Sequence, residues 1–107
     1  MVIFVLAVAA ILEAGGDAII RSALHDSSSA ARVPLFLLGA VVLFAYGWTV
    51  NAPSWDFGRL IGVYVVFFFL TAQLISWLYF RQPPSISGIV AGALIVAGGI
   101  VFAAGNP

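Results

Sequence analysis

The chain has no cysteine, which excludes disulfides, thiolate metal sites and cysteine nucleophiles. It is almost as poor in charge. Only 7% of its 107 residues are charged, against about 25% in an ordinary soluble domain. Four basic, four acidic and one histidine side chain cannot cover a water-soluble surface. Net charge is zero and no basic run is present, so nothing points to nucleic acid. There is also no nucleophile–base set, no metal-ligand cluster and no phosphate loop. The reading is therefore not an enzyme, with no cofactor and no metal. What the chain does have is apolar residues, 64% of the total. The class is an all-α integral membrane protein.

The few charges are not scattered. Between Val2 and Leu24 the ionisable side chains are Glu13, Asp17 and Arg21. Their i, i+4, i+8 spacing sets them along one stripe of a helix. About eleven apolar residues precede Glu13, which at about 1.5 Å per residue is half of a bilayer core. A carboxylate at that depth costs about 2.5–3.5 kcal/mol on insertion scales, so an acid there is a functional-site hypothesis by default. Proton or cation traffic is its usual purpose. Gly15 and Gly16 flank the acid, where they permit close helix approach or a nearby ligand.

The rest reads as three further spans. The first covers about residues 2–24 and is a retained span rather than a signal peptide, since no basic run precedes it and it continues past Glu13. A polar loop follows from His25 to Arg32, with His25 as a solvated loop residue. Span two covers about 33–50, with Pro34 in its first turn. Tyr46 and Trp48 near its far end read as interfacial belt anchors. A second loop leads to span three, about 60–80, which is rich in aromatics. Tyr64 carries a hydroxyl well inside that span. Tyr64, Phe68 and Thr71 share one face, and Gln73 and Ser76 are placed to bond between helices. After Arg81-Gln82-Pro83-Pro84, span four covers about 85–104. Its glycines Gly88, Gly92 and Gly99 make a smooth face, read as dimer packing. Gly105-Asn106-Pro107 reads as an exposed tail.

Four helices with short loops, forming one domain over residues 1–107, enclose little volume. A water-accessible path to Glu13 therefore calls for a second subunit, and a homodimer in the bilayer is expected. Arg21, Arg32 and Arg81 lie towards one side and Arg59 towards the other. The positive-inside rule then puts loops one and three in the cytoplasm and both termini outside.

A short four-span chain with one acid midway through its first span resembles the small multidrug resistance family, within the drug/metabolite transporter superfamily. Glu13, Gly16 and Arg21 match that family's span-one pattern, and Tyr64 with Ser76-Trp77 matches its span-three pattern. Gly92 and Gly99 match its glycine pair in span four. Glu13-Ala14-Gly15-Gly16, Tyr46-Gly47 and Phe57-Gly58-Arg59 are most similar to the YnfA-type branch. The ion pair that Asp17 adds with Arg21 departs from the family, as does the lack of glycine between Val65 and Phe69. The resemblance implies a proton-coupled exporter of small lipophilic or cationic compounds in the inner (plasma) membrane. Protons and substrate cations would meet at Glu13, with Tyr64 and Trp77 holding the cation by cation–π contact. Gly15, Gly16, Asp17, Arg21 and Ser76 would support that site. Under the alternative, the chain transports nothing and docks to partner membrane proteins through span four, and Glu13, Asp17 and Arg21 neutralise one another. Asp17 and Arg21 are the natural i, i+4 ion pair on this stripe, which leaves Glu13 as the spare acid.

Overall fold

A computed structural model describes residues 1–105; the expected tail at Asn106 and Pro107 lies outside the described residues. Four helices account for most of the chain: α1 (Val2–His25), α2 (Ser29–Val50), α3 (Phe57–Leu78) and α4 (Ile86–Ala104). All four are long and apolar enough to cross a membrane. The molecule is a multi-pass membrane protein.

The helices lie side by side in the order α2, α1, α3, α4, and the layer is thin, with extents of 51 × 34 × 18 Å. Its 18 Å depth is less than two helix diameters. The contacts give the directions. Gly16 faces Leu43 and Gly39 faces Ile20, so α1 and α2 run antiparallel. Glu13 meets Tyr64 and Arg21 meets Phe80, so α1 and α3 run parallel. Gly62 faces Phe102 and Gly99 faces Val66, so α3 and α4 run antiparallel.

The loops are shorter than the polar residues suggest. Ser28 caps α2, its hydroxyl accepting from the Ala31 amide at 3.3 Å. Ser29 to Arg32, expected as loop, are therefore the first turn of α2, because a serine cap followed by alanines starts a helix readily. Pro34 accordingly sits in the second turn, not the first. Span three is displaced in the same direction: α3 takes in Phe57, Gly58 and Arg59 and ends at Leu78, leaving Tyr79 and Phe80 in the turn. Arg81 turns the chain with a φ of 58°, and the following prolines hold it extended.

Two arginines expected at the loops act as helix caps. Arg32 Nε donates to the Ala23 carbonyl of α1 at 3.2 Å. Arg59 donates to Phe102 and Ala103 carbonyls of α4, at 3.3 and 3.0 Å, and its guanidinium lies 4.4 Å over the Trp55 ring. Each places a cation on the last carbonyls of a neighbouring helix, where the dipole favours it.

The two glycines beside Glu13 behave differently. A Cβ on Gly16 would lie 2.7 Å from Leu43, so Gly16 is packing between α1 and α2. A Cβ on Gly15 would meet nothing within 4 Å. Gly16→Leu should destabilise the helix pair by about 1–3 kcal/mol, as overpacking does, whereas Gly15→Ala should be neutral or slightly stabilising, since alanine is the better helix former. Denaturant titration of both variants in mild detergent measures this; equal stability of the two would show that α1 and α2 are not held at Gly16.

Candidate functional site

Glu13 lies at the middle of α1, half-buried, and α3 brings a partner to it. The Tyr64 hydroxyl donates to Glu13 Oε1 at 2.7 Å and lies 3.3 Å from the Ala9 carbonyl, one turn below. Tyr64 is buried. Its ring packs between two others: Tyr46 of α2, with ring centroids 5.7 Å apart, and Phe68 one turn further along α3, at 6.3 Å. Three helices thus deliver one carboxylate, one hydroxyl and an aromatic wall to a single point.

Below that point Leu6, Ala9, Ala10, Val50, Leu60 and Val63 form the buried core with Tyr64. The alanines let α1 approach α3 closely beside Tyr64, and the space left towards the α1 N-terminus is a separate apolar one of about 190 Å³ bordered by Ile3, Val63 and Phe67. Above the point the subunit opens. A cleft of about 280 Å³ between α1 and α3 reaches from the turn at Gln82 down to Ala14, next to Glu13. Asp17 and Arg21 line it from α1, and Gln73, Ser76 and Phe80 from the α3 side. The polar cleft thus approaches Glu13 from the Gln82 side, and the buried apolar cluster lies on the other.

Asp17 and Arg21 do not form the expected pair. Among the described residues no carboxylate oxygen comes within 4 Å of an arginine nitrogen. Arg21 lies instead over the Phe80 ring, 5.5 Å from its centroid. Cation–π contact competes with an exposed ion pair at this point, and both are worth about the same. Asp17 is exposed along its helix. No family model, curated protein or solved structure matches the chain. The site therefore stands on its own geometry.

Other expected site residues lie elsewhere. Trp77 is 51% exposed and thirteen residues along α3 from Tyr64, about 20 Å at 1.5 Å per residue. Within one subunit it does not reach Glu13. The Ser76 hydroxyl donates to Gln82 Oε1 at 3.1 Å, and so holds the turn rather than a neighbouring helix. Gly99 is buried against Val66, and a Cβ on Gly92 would lie 3.7 Å from Phe69. Gly99 is thus spent on α3 within the subunit, whereas Gly88 and Gly92 line an open groove between α3 and α4.

Tyr46 is the residue that sequence reasoning placed wrongly. It is not a belt anchor but part of the wall around Glu13. The signal was present in the period: Gly39, Leu43, Tyr46 and Val50 recur at helical spacing and together face α1. Trp48, two residues on, is 75% exposed and keeps its outward place.

Proposed function

We propose that the protein is a proton-coupled exporter of small lipophilic cations, of the small multidrug resistance type, acting as a homodimer in the inner (plasma) membrane with both termini outside. One observation carries this reading. The mid-membrane carboxylate of Glu13 has a hydroxyl for a partner and no arginine, and aromatic rings stand around it. A buried structural acid is normally neutralised by a base. An acid left with one hydroxyl and a wall of π faces suits a ligand that brings its own positive charge.

The mechanism follows from exclusivity. One Glu13 carboxylate holds either a proton or a cation. A cation arriving through the cleft displaces the proton, and a proton returning displaces the cation. Tyr64 holds the carboxylate in one place through either state, one residue from Ala14 at the inner end of the cleft, since a hydroxyl can donate to the charged oxygen and still contact the acid. By the arginine bias the open cleft faces the cytoplasm, the side from which an exporter loads. A second subunit would cover the exposed flank of Asp17 and complete the cavity.

The test is proton release. Purified protein in weakly buffered detergent, held where Glu13 is partly protonated, should release protons when tetraphenylphosphonium is added. Release should saturate at no more than one proton per Glu13 bound. Cation binding without any proton release would overturn proton coupling. No cation binding at all would leave the docking alternative, which the uncovered outer face of α4 favours.

A further inference from the structure

We propose that the cleft between α1 and α3, together with the apolar groove between α3 and α4, binds a zwitterionic single-chain amphiphile of the alkyl betaine class: a tail, then an ammonium, then a carboxylate outermost. This site lies beside Glu13 and does not depend on the exporter reading.

The head end is the cleft. Asp17 and Arg21 both line it, and they are not spent on each other. One acid and one base, each without a counter-ion among the described residues, complement a ligand that carries both signs and not one that carries only a positive charge. They stand four residues apart on one stripe, about 6 Å of helix rise. That suits an ammonium and an oxyanion joined by a short carbon bridge. Asp17 is the deeper of the two and Arg21 the nearer to the helix end. The order of charges is therefore fixed: ammonium inward, anion outward. Gln73, Ser76 and Gln82 add uncharged hydrogen-bonding groups around them.

The tail end is the groove. Gln73 borders both spaces, so they meet at that residue, one on each side of it around α3. The groove holds about 570 Å³ and, apart from Gln73, its walls are apolar, with Phe69 and Leu70 on α3 and Ala93 and Ala97 on α4. It runs from Pro84 and Gly88, at the surface end of α4, to Ile100. Gly88 to Ile100 is twelve residues, about 18 Å, slightly more than one leaflet's share of a roughly 30 Å hydrocarbon core. A tail in this groove lies as a lipid chain lies, with its head at the interface and its end near mid-membrane. Lipid alone offers such a tail no hydrophobic advantage over the groove or the reverse, so the charged cleft supplies the selectivity.

The experiment compares headgroups at fixed tail length. The full chain in neutral maltoside micelles is mixed with chain-spin-labelled alkyl betaine, alkyl trimethylammonium or lysophosphocholine, whose charges run in the opposite order. The immobilised fraction of the label gives relative association. The betaine should bind about tenfold more tightly than either other probe. Arg21→Gln should bring betaine down to the level of the trimethylammonium probe, and Arg21→Lys should keep the preference. Ala93→Phe, which fills the groove without touching the cleft charges, should weaken all three probes alike. Glu13→Gln should leave the betaine preference intact. Equal binding of the three probes by the parent would mean an ordinary lipid annulus and would overturn the proposal. So would a preference for the trimethylammonium probe, or a betaine preference lost in Glu13→Gln, since either makes the cleft an extension of the Glu13 site. The parent ranking decides the matter even if a variant fails to fold.

Discussion

Glu13→Gln should abolish the pH dependence of cation binding while leaving the protein folded and inserted. The parent carboxylate binds a cation in its charged form only. At low pH the proton holds it and cation affinity is least. Affinity then rises with pH and levels off once the carboxylate is fully ionised. The glutamine amide has the same shape, and its oxygen still accepts from the Tyr64 hydroxyl, which donates to Oε1 in the parent. The variant loses the charge and the titration but not the hydrogen bond. Removing one partner of a charge pair in a low-dielectric site costs about 3–5 kcal/mol, so affinity at high pH should fall at least about hundredfold, to a value flat with pH. Asp17→Asn is the control. Asp17 lines the cleft but makes no hydrogen bond with Tyr64, so that variant should keep the rise and plateau with pH, with the midpoint moved by the loss of a carboxylate four residues from Glu13. Tetraphenylphosphonium binding measured across pH on the three proteins decides the point. If Glu13→Gln binds and exchanges like the parent, Glu13 is structural and the exporter reading fails.

The architecture was legible because membranes leave few choices. Chains that must satisfy their backbone inside lipid form helices, and long apolar runs between Pro, Asn and Ser clusters located them. Glu13 was legible for the same reason, as a charge at a depth where charges are rare. What was not legible depends on rotation and on side-chain choice. Gly15 and Gly16 look alike in sequence, yet a 100° step along the helix puts one against Leu43 and leaves the other open. Arg21 had two acceptable partners, an acid on its own helix and a ring after α3, and spacing favours the first while packing delivered the second. Gly92 and Gly99 announced close approach without saying to what; α3 of the same subunit took Gly99 and left Gly92 beside a groove. Ser29 to Arg32 read as loop because polarity was weighed above helix propensity and the cap at Ser28.

Tyr64→Phe should weaken cation binding at neutral pH about tenfold or more, and only through Glu13. The substitution removes a hydroxyl and keeps a ring, so the stack with Tyr46 and Phe68 remains. The Ala9 carbonyl 3.3 Å from the hydroxyl is not orphaned, because in a helix it already accepts from the amide four residues on. The loss therefore falls on the carboxylate. A hydrogen bond to a charged group is worth about 1.5–3 kcal/mol, and without it the carboxylate is both less well satisfied and free to change rotamer. Because Tyr64 is argued to act by positioning, the two substitutions should not add. Tyr64→Phe made in the Glu13→Gln background should change cation affinity by less than about twofold, within the range expected of residues that no longer share an interaction. Binding measured on the parent, both single variants and the double variant closes the cycle. If the two losses add, the hydroxyl meets the cation directly and Tyr64 is a ligand in its own right. If Tyr64→Phe alone binds like the parent, the 2.7 Å contact orders the resting site and takes no part in holding the cation.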